Sequence, residues 1–274
     1  MEFEYTPEII RKMQLVELDM LKEVDRICKE NNITYILDAG TLLGAYRHKG
    51  FIPWDDDVDI RMLRSEYEKF CEVCKTQLNT DKYFLQNHKT DPGYRWGYAR
   101  ILRNGTNFQR AGQDMLTMKR GIFIDIFPVD ALPDRKIAKA IYNSKCWIAR
   151  KMLYSEVALG NYKPGIKKIG FWILNLFPKE KAFRIFEKLS EKYNHKNTQN
   201  VRIQGWGDPV DSAGFERKWF LETDKILFED AYFMCPKDKE GFLEHSFGKD
   251  YMIPPPKAKR KPGHVATYIS FPKD

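Results

Sequence analysis

Four aspartates occupy five positions in the run Asp55-Asp56-Asp57-Val58-Asp59, next to sequence that is otherwise apolar and strand-like. Ionised carboxylates this close repel one another, and crowding them beside hydrophobic residues calls for a cation, either a divalent metal or a positively charged group of a substrate. In an extended chain alternate side chains share a face, so Asp57 and Asp59 point one way while Val58 and Ile60 point into a core. The pattern predicts a metal clamp on a strand. Pro53 ahead of Asp55-Asp56 also fits a solvated turn, the plainer reading of an acidic run. Gly40-Thr41, directly after the apolar run from Ile33 to Leu37, adds backbone N–H groups and a hydroxyl suited to phosphate oxygens. A third carboxylate, Asp125, interrupts the apolar strand from Ile122 to Phe127, where Phe123, Asp125 and Phe127 share one face. Such a group needs a partner, either the cation held by Asp57 and Asp59 or an ion pair with Arg100 or Arg103.

The elements that must position these groups are legible from periodicity. Thr6-Pro7-Glu8 is a helix start, and Ile9, Met13, Val16, Met20, Val24 and Ile27 recur at helical spacing as far as about Glu30. A strand at Ile33 to Leu37, a short helix at Thr41 to Tyr46 and the aspartate strand follow. Ser65-Glu66-Tyr67-Glu68 reads as a capping box opening the next helix. Further strands are expected at Tyr83 to Gln86, Gly97 to Arg103 and Ile122 to Phe127. After Pro133 the pattern turns helical and basic, with helices at Arg135 to Glu156, Ile166 to Phe177 and Glu180 to His195. Apolar pieces at Ile226 to Phe228 and Ala231 to Met234 and a helix near Lys237 to Phe247 complete the chain. The expected organisation is a core with its N-terminal helix in 1–133, an inserted basic helical lobe in 134–204 and a closing part in 205–274, of α+β class.

Composition bounds the partners. The 274 residues are 43% hydrophobic, ordinary for a globular chain. No secretory signal and no bilayer-spanning run is visible, and five cysteines, with Cys71 and Cys74 the only close pair, suit a reducing compartment. The expected location is the cytoplasm. Between Arg135 and Arg202 sixteen Lys or Arg face four Glu and no Asp, a local excess of +12 that exceeds the whole-chain charge of +8. Such a stretch suits anionic partners. Within it, Ile166 to Phe177 joins large apolar side chains to lysines. A helix of this length is ordinarily core, and the other reading is peripheral contact with an anionic membrane.

The run from Leu37 to Ile60, with Gly40-Thr41-Leu42-Leu43-Gly44 and Pro53-Trp54-Asp55-Asp56-Asp57-Val58-Asp59-Ile60, resembles the signature of the LicD phosphotransferases, relatives of fukutin and fukutin-related protein. Gly121-Ile122-Phe123-Ile124-Asp125-Ile126-Phe127-Pro128-Val129-Asp130, and Phe247-Gly248-Lys249-Asp250-Tyr251 onward through Arg260 to His264, resemble further family blocks in the family order. The resemblance covers nearly the whole chain and is poorest in the basic lobe. It implies a nucleotidyltransferase-like fold, a small mixed sheet flanked by helices, with Gly40-Thr41 at the phosphates and Asp57 and Asp59 as metal ligands. The implied reaction transfers a phospho-alcohol from a CDP-activated donor, most familiarly CDP-choline, to a hydroxyl of a glycan or lipid-linked glycan acceptor of the teichoic acid or lipopolysaccharide type.

On that basis Mg2+ or Mn2+ is expected on Asp57, Asp59 and Asp125, with Asp125 also the candidate general base. Arg100 is favoured for the diphosphate over Arg103, which has opposite strand parity, and Arg47 is a further cation. Trp54, with Tyr94, Trp96 and Tyr98, could cage a quaternary ammonium. Nothing in the chain selects choline over ribitol or glycerol, and nucleic acid is not the expected partner. A conventional nucleotidyltransferase and a non-catalytic anion-binding protein remain the rival readings.

Overall fold

The computed structural model describes residues 4–205, 207 and 209–272. Helix α1 (Pro7–Glu30) starts as its sequence demands: Thr6 Oγ1 accepts from Ile9 N–H, and Pro7 takes the first helical position, where its missing N–H costs nothing. Its stripe of Met13, Met20, Leu21, Val24 and Ile27 is buried, in contact with the main sheet and the third helix. Each such side chain stabilises by about 1.5–3 kcal/mol relative to exposure. Next come β1 (Ile36–Leu37), α2 (Ala39–His48), β2 (Asp59–Leu63), α3 (Arg64–Gln77), β3 (Tyr83–Gln86), β4 (Ala99–Arg103), β5 (Asn107–Arg110) and β6 (Phe123–Ala131). Helices α4 (Lys136–Asn161), α5 (Ile166–Asn175) and α6 (Lys179–Ser190) follow. The chain closes with β7 (Asn200–Ile203), α7 (Pro209–Ala213), β8 (Phe215–Glu216), α8 (Lys218–Leu221), the hairpin β9 (Thr223–Phe228) and β10 (Ala231–Pro236), α9 (Lys239–Phe247) and β11 (Ala266–Ser270).

Seven of these strands form one mixed sheet centred on β6, in the order β1, β2, β6, β4, β3, with β7 pairing the far end of β6 and β8 pairing β7. The fold is α+β, with a sheet larger than the small one expected. Strand β2 runs parallel to β6 with Asp59 opposite Asp125, and β4 runs antiparallel to β6 with Arg100 opposite the same Asp125. Register alone therefore sets Asp59, Asp125 and Arg100 in one row across three strands. A second short ribbon pairs β11 with β5, Ala266 opposite Arg110, and carries the segment before β11 back to the aspartate run.

Several expectations need correction. The strand after α1 is only Ile36–Leu37, and β2 begins at Asp59, so Asp57 lies in the extended segment before the strand. The Ser65 capping box does not form: α3 begins one residue earlier, at Arg64, without a side-chain cap, and the Glu66 carboxylate instead accepts from Thr34 N–H at 2.9 Å. Helix α5 is not core, since none of its residues is buried. Among the described residues no helix is long and apolar enough to cross a membrane.

Helices α4 and α6 enclose small apolar clusters of their own, one built on Met152, Leu153, Phe183 and Phe186 and another on Leu132, Tyr142 and Cys146. Two contacts tie them to the rest. Arg95 Nε donates to Leu153 O at 2.9 Å, and Gly97 packs so closely on Phe186 that a Cβ there would lie 2.2 Å from the ring.

Candidate active site

A cavity of about 280 Å³ opens where β2 and β6 begin and α2 starts. Asp38, Asp57, Asp59 and Asp125 bring carboxylates to its wall, Arg61 and Arg110 bring guanidinium groups, and His264 closes it from the segment ahead of β11. The backbone fixes this arrangement tightly. Asp38 N–H donates to Asp59 O at 3.0 Å and Asp125 N–H to Val58 O at 2.9 Å, pinning β2 between its neighbours. Ala39, the first residue of α2, holds a left-handed φ of +43°, a conformation that costs an L-residue about 1–3 kcal/mol and that persists only where its surroundings enforce it. Because Ala39 also lines the cavity, the positive end of the α2 dipole opens there.

The charges divide into satisfied and unsatisfied sets. Arg61 joins Asp38 to Asp211, with Nη1 3.2 Å from Asp211 Oδ1 and the guanidinium 4.1 Å over the Phe215 ring. Arg100 holds Asp125, Nε to Oδ1 at 2.6 Å and Nη2 to Oδ2 at 3.4 Å. Asp56 is spent on structure, accepting from Gly263 N–H at 2.6 Å and His264 N–H at 3.1 Å. Asp57 has only the His264 imidazole nearby, Nδ1 3.6 Å from Oδ2, and among the described residues Asp59 has no ion pair. The Asp57 carboxyl is pushed up to about 6, chiefly by burial, with His264 pulling it down and Asp56 and Asp125 pushing it up. Asp59 is driven well above its usual range by burial and then by Asp57 and Asp125, and Asp55 by burial and then by Asp57 and Asp56. Glu17, reaching up from α1, is raised in the same way, and its Oε2 has no hydrogen-bond partner.

These oxygens could hold a hard cation. Oxygens of Asp55, Asp56 and Asp57 can all lie within 4.8 Å of one another, and among the described residues Asp57 and Asp59 face the cavity without an Arg or Lys ion pair. Repulsion that raises several carboxyls at once is what a divalent ion with oxygen ligands relieves.

Residues 32–157 match the family model described as LicD/FKTN/FKRP, nucleotidyltransferase domain. Over 93% of this chain and 96% of the relative, the sequence is 29% identical to the lipopolysaccharide cholinephosphotransferase LicD of Haemophilus influenzae. This chain carries a LicD-family domain. Two uncharacterized proteins, from Rickettsia typhi and Rickettsia prowazekii, are 38% and 42% identical over 24% and 20% of the chain, each covering 21% of the relative. The LicD-family match takes in all four cavity aspartates and Arg110, whereas Asp211 and His264 come from beyond it.

Within the LicD-family domain the residues singled out from sequence separate into two groups. Asp57, Asp59 and Asp125 meet at the cavity. Thr41 is buried, and its Oγ1 accepts from Asp59 N–H at 2.9 Å, so it anchors β2. Gly40 is needed for close approach: a Cβ there would lie 2.4 Å from Asp55 Oδ2. Neither residue borders the cavity. Arg47 donates to Tyr251 O at 2.8 Å and fastens the segment after α9, while Trp54 lies under Arg260, 5.0 Å from ring centre to guanidinium carbon.

The need of Asp125 for a compensating partner is met by Arg100, the ion pair weighed as the alternative to the metal. That pairing takes Arg100 away from the diphosphate role expected of it. Tyr94, Trp96 and Tyr98, expected to meet a quaternary ammonium together with Trp54, instead face the Arg100 guanidinium along with Phe123 at 3.9 Å.

Four contributors escaped the sequence reading. Asp38 lies inside the run from Leu37 to Ile60 and Arg61 directly follows it. Arg110 has no ion pair among the described residues and is therefore the cation available to an anionic ligand. Nδ1 of His264 has no hydrogen-bond partner and lies 3.6 Å from Asp57 Oδ2. The only advance signal for His264 was its place at the end of the last family-like block.

Proposed function

We propose that the chain is a metal-dependent phosphotransferase that moves phosphocholine from CDP-choline to a hydroxyl of a lipopolysaccharide or teichoic acid precursor. The observation that carries this reading is the pair Asp57 and Asp59, enclosed, mutually repelling and facing a cavity that also holds a free guanidinium. The similarity to a lipopolysaccharide cholinephosphotransferase over nearly the full length of both chains supports the choice of donor and acceptor. A Mg2+ or Mn2+ ion on Asp57 and Asp59, with Asp125 beside them, would neutralise the donor diphosphate and acidify the acceptor hydroxyl.

The chain's own groups do the rest. Arg110 holds diphosphate oxygens as charge gathers on them. Arg100 keeps Asp125 fixed in the row with Asp59, so that the carboxylate keeps its orientation as ligands come and go. The link from Asp38 through Arg61 to Asp211 makes a wall that does not need the substrate to complete it. The acceptor oxygen attacks the phosphorus that carries choline, a new O–P bond forms, the bond to the CMP oxygen breaks, and CMP departs intact. His264 Nδ1 receives the hydroxyl proton in place of Asp125, both of whose oxygens already accept from Arg100. An acceptor built on a lipid carrier would place this work at the inner face of the cytoplasmic membrane.

The test is a thermal-shift screen of CDP-choline, CDP-ribitol, CDP-glycerol and CTP with Mg2+. The expected outcome is the largest upward shift with CDP-choline, abolished in Asp59→Asn. A shift confined to CTP would favour ordinary nucleotidyl transfer, and no shift with any donor would leave only anion binding.

A further inference from the structure

We propose that the outward face of α4 and α5 docks on an anionic lipid bilayer. The claim goes beyond the chemistry of the cavity and does not depend on which donor is used. Helix α5 touches the molecule through Phe171, stacked on Tyr162 with ring centres 5.4 Å apart and edge-on to Tyr154 at 6.1 Å. Among the described residues nothing covers the opposite side: Ile166 is 89% exposed, Ile169 58%, Trp172 57% and Leu176 63%. Those positions follow the helical repeat, so they form a stripe and not a scatter of single exposed residues. Helix α4 also exposes Ile137 at 78% and Ile141 at 54%, one turn apart.

Charge identifies the occupant. From Lys136 to Phe177 there are seven lysines and one arginine against the single acid Glu156. Lys163, Lys167 and Lys168 sit at the start of the α5 stripe. An apolar and tryptophan-bearing stripe framed by lysines matches the two layers of a membrane surface, with side chains entering the acyl boundary and ammonium groups meeting anionic headgroups. A second copy of this chain would bring like charge against like charge and is disfavoured. A nucleic acid would satisfy the lysines and leave the isoleucines and Trp172 in water.

The experiment is flotation of the full chain with vesicles of phosphatidylcholine alone or mixed with phosphatidylglycerol, at low and high salt, in the absence of any nucleotide. The expected result is binding only to the phosphatidylglycerol vesicles, weakened by salt. It should be lost in Ile169→Ser/Trp172→Ser/Leu176→Ser, and reduced by about fivefold for each lysine neutralised to Gln among Lys163, Lys167 and Lys168. These side chains are exposed apart from the half-buried Lys168, so circular dichroism and melting should match the parent, and Phe171 is left intact because it holds α5 in place. Flotation that is absent in the parent, or unchanged in the triple serine variant, overturns the proposal. So does a parent that light scattering finds dimeric and the serine variant monomeric without vesicle binding, since the stripe would then belong to a second copy. None of these outcomes bears on CMP release from a soluble acceptor, so this claim and the proposed chemistry can fail separately.

Discussion

The cavity and the α4–α5 face break the usual distribution of residues in opposite directions. At the cavity, half-buried Asp57 and Asp59 and buried Glu17 have too few cations to balance them, whereas along α5 and its C-cap Ile169, Trp172 and Leu176 stand in water. Enclosing unbalanced carboxylates and exposing an apolar stripe each forgo stability that an ordinary soluble domain would keep. The difference lies in what would satisfy each region: positive charge at the first, apolar and anionic surroundings at the second. Both departures are local. The strands and helices around them obey ordinary packing, and that regular frame makes the exceptions readable.

The comparison can be broken most severely at the carboxylates. Asp57→Asn and Asp59→Asn are each expected to lower CMP release by about 10³-fold, because each removes a charge that acts electrostatically at the reaction. The metal-free variants should melt no lower than the parent, since a repelling charge has gone. Turnover near the parent level in saturating Mg2+ would remove both residues from the site. His264→Gln should cost roughly 10²-fold and flatten the pH dependence of kcat, whereas a uniform loss with the profile unchanged would make His264 only a strut for Asp56.

Asp125→Ala should behave in the opposite sense from Asp57→Asn. It strands the enclosed Arg100 guanidinium, and urea denaturation should register a loss of about 3–5 kcal/mol. Adding Arg100→Met should recover much of that loss. If Asp125→Ala alone is neutral, the ion pair is not what holds β4 to β6 at that point.

Acidity sharpens the contrast further. Asp57 lies near 6 in the folded chain against an ordinary 3.8, raised first by burial, and Asp59, Asp55 and Glu17 are raised in the same sense. The folded state therefore binds protons that the unfolded chain has already released. Stability from this source is fully present below the ordinary carboxylate range and is lost as pH rises through about 6. Metal-free protein should accordingly melt lower at pH 7 than at pH 5, and Mn2+ or Mg2+ should reduce the difference. An upward trend with pH would contradict the account. The smallest effect belongs to the other region: Ile169→Ser on α5 should change stability by less than about 0.5 kcal/mol, as befits a side chain with no packing to lose.

Much of this was legible in the sequence because it is local. Thr6 and Pro7 announce α1 through backbone chemistry confined to one turn, and the crowding of Asp57 and Asp59 needs no knowledge of the fold. The alternation around Asp125 foretold a strand, and opposite parity foretold that only one of Arg100 and Arg103 would face it. What stayed hidden depends on pairing between distant segments. Arg110 and His264 meet the aspartates because β5 pairs with β11, a match between positions more than 150 residues apart for which neither strand carries a marker. Thr41 misled for a related reason: a hydroxyl after a glycine suits a phosphate, but here β2 lies beside it and claims its oxygen. The aromatic run at Tyr94, Trp96 and Tyr98 was expected to receive a quaternary ammonium of the substrate, whereas the guanidinium of Arg100, two residues further along the same chain, lies over those rings.

The most direct test of the central claim is which bond of CDP-choline breaks. Incubating the protein with CDP-choline, Mg2+ and a glycan acceptor and following the products by phosphorus NMR distinguishes the two phosphorus atoms. The account predicts free CMP in step with a new phosphodiester on the acceptor, both absent in Asp57→Asn. Free phosphocholine with CMP joined to the acceptor would show attack on the nucleoside phosphorus and contradict it.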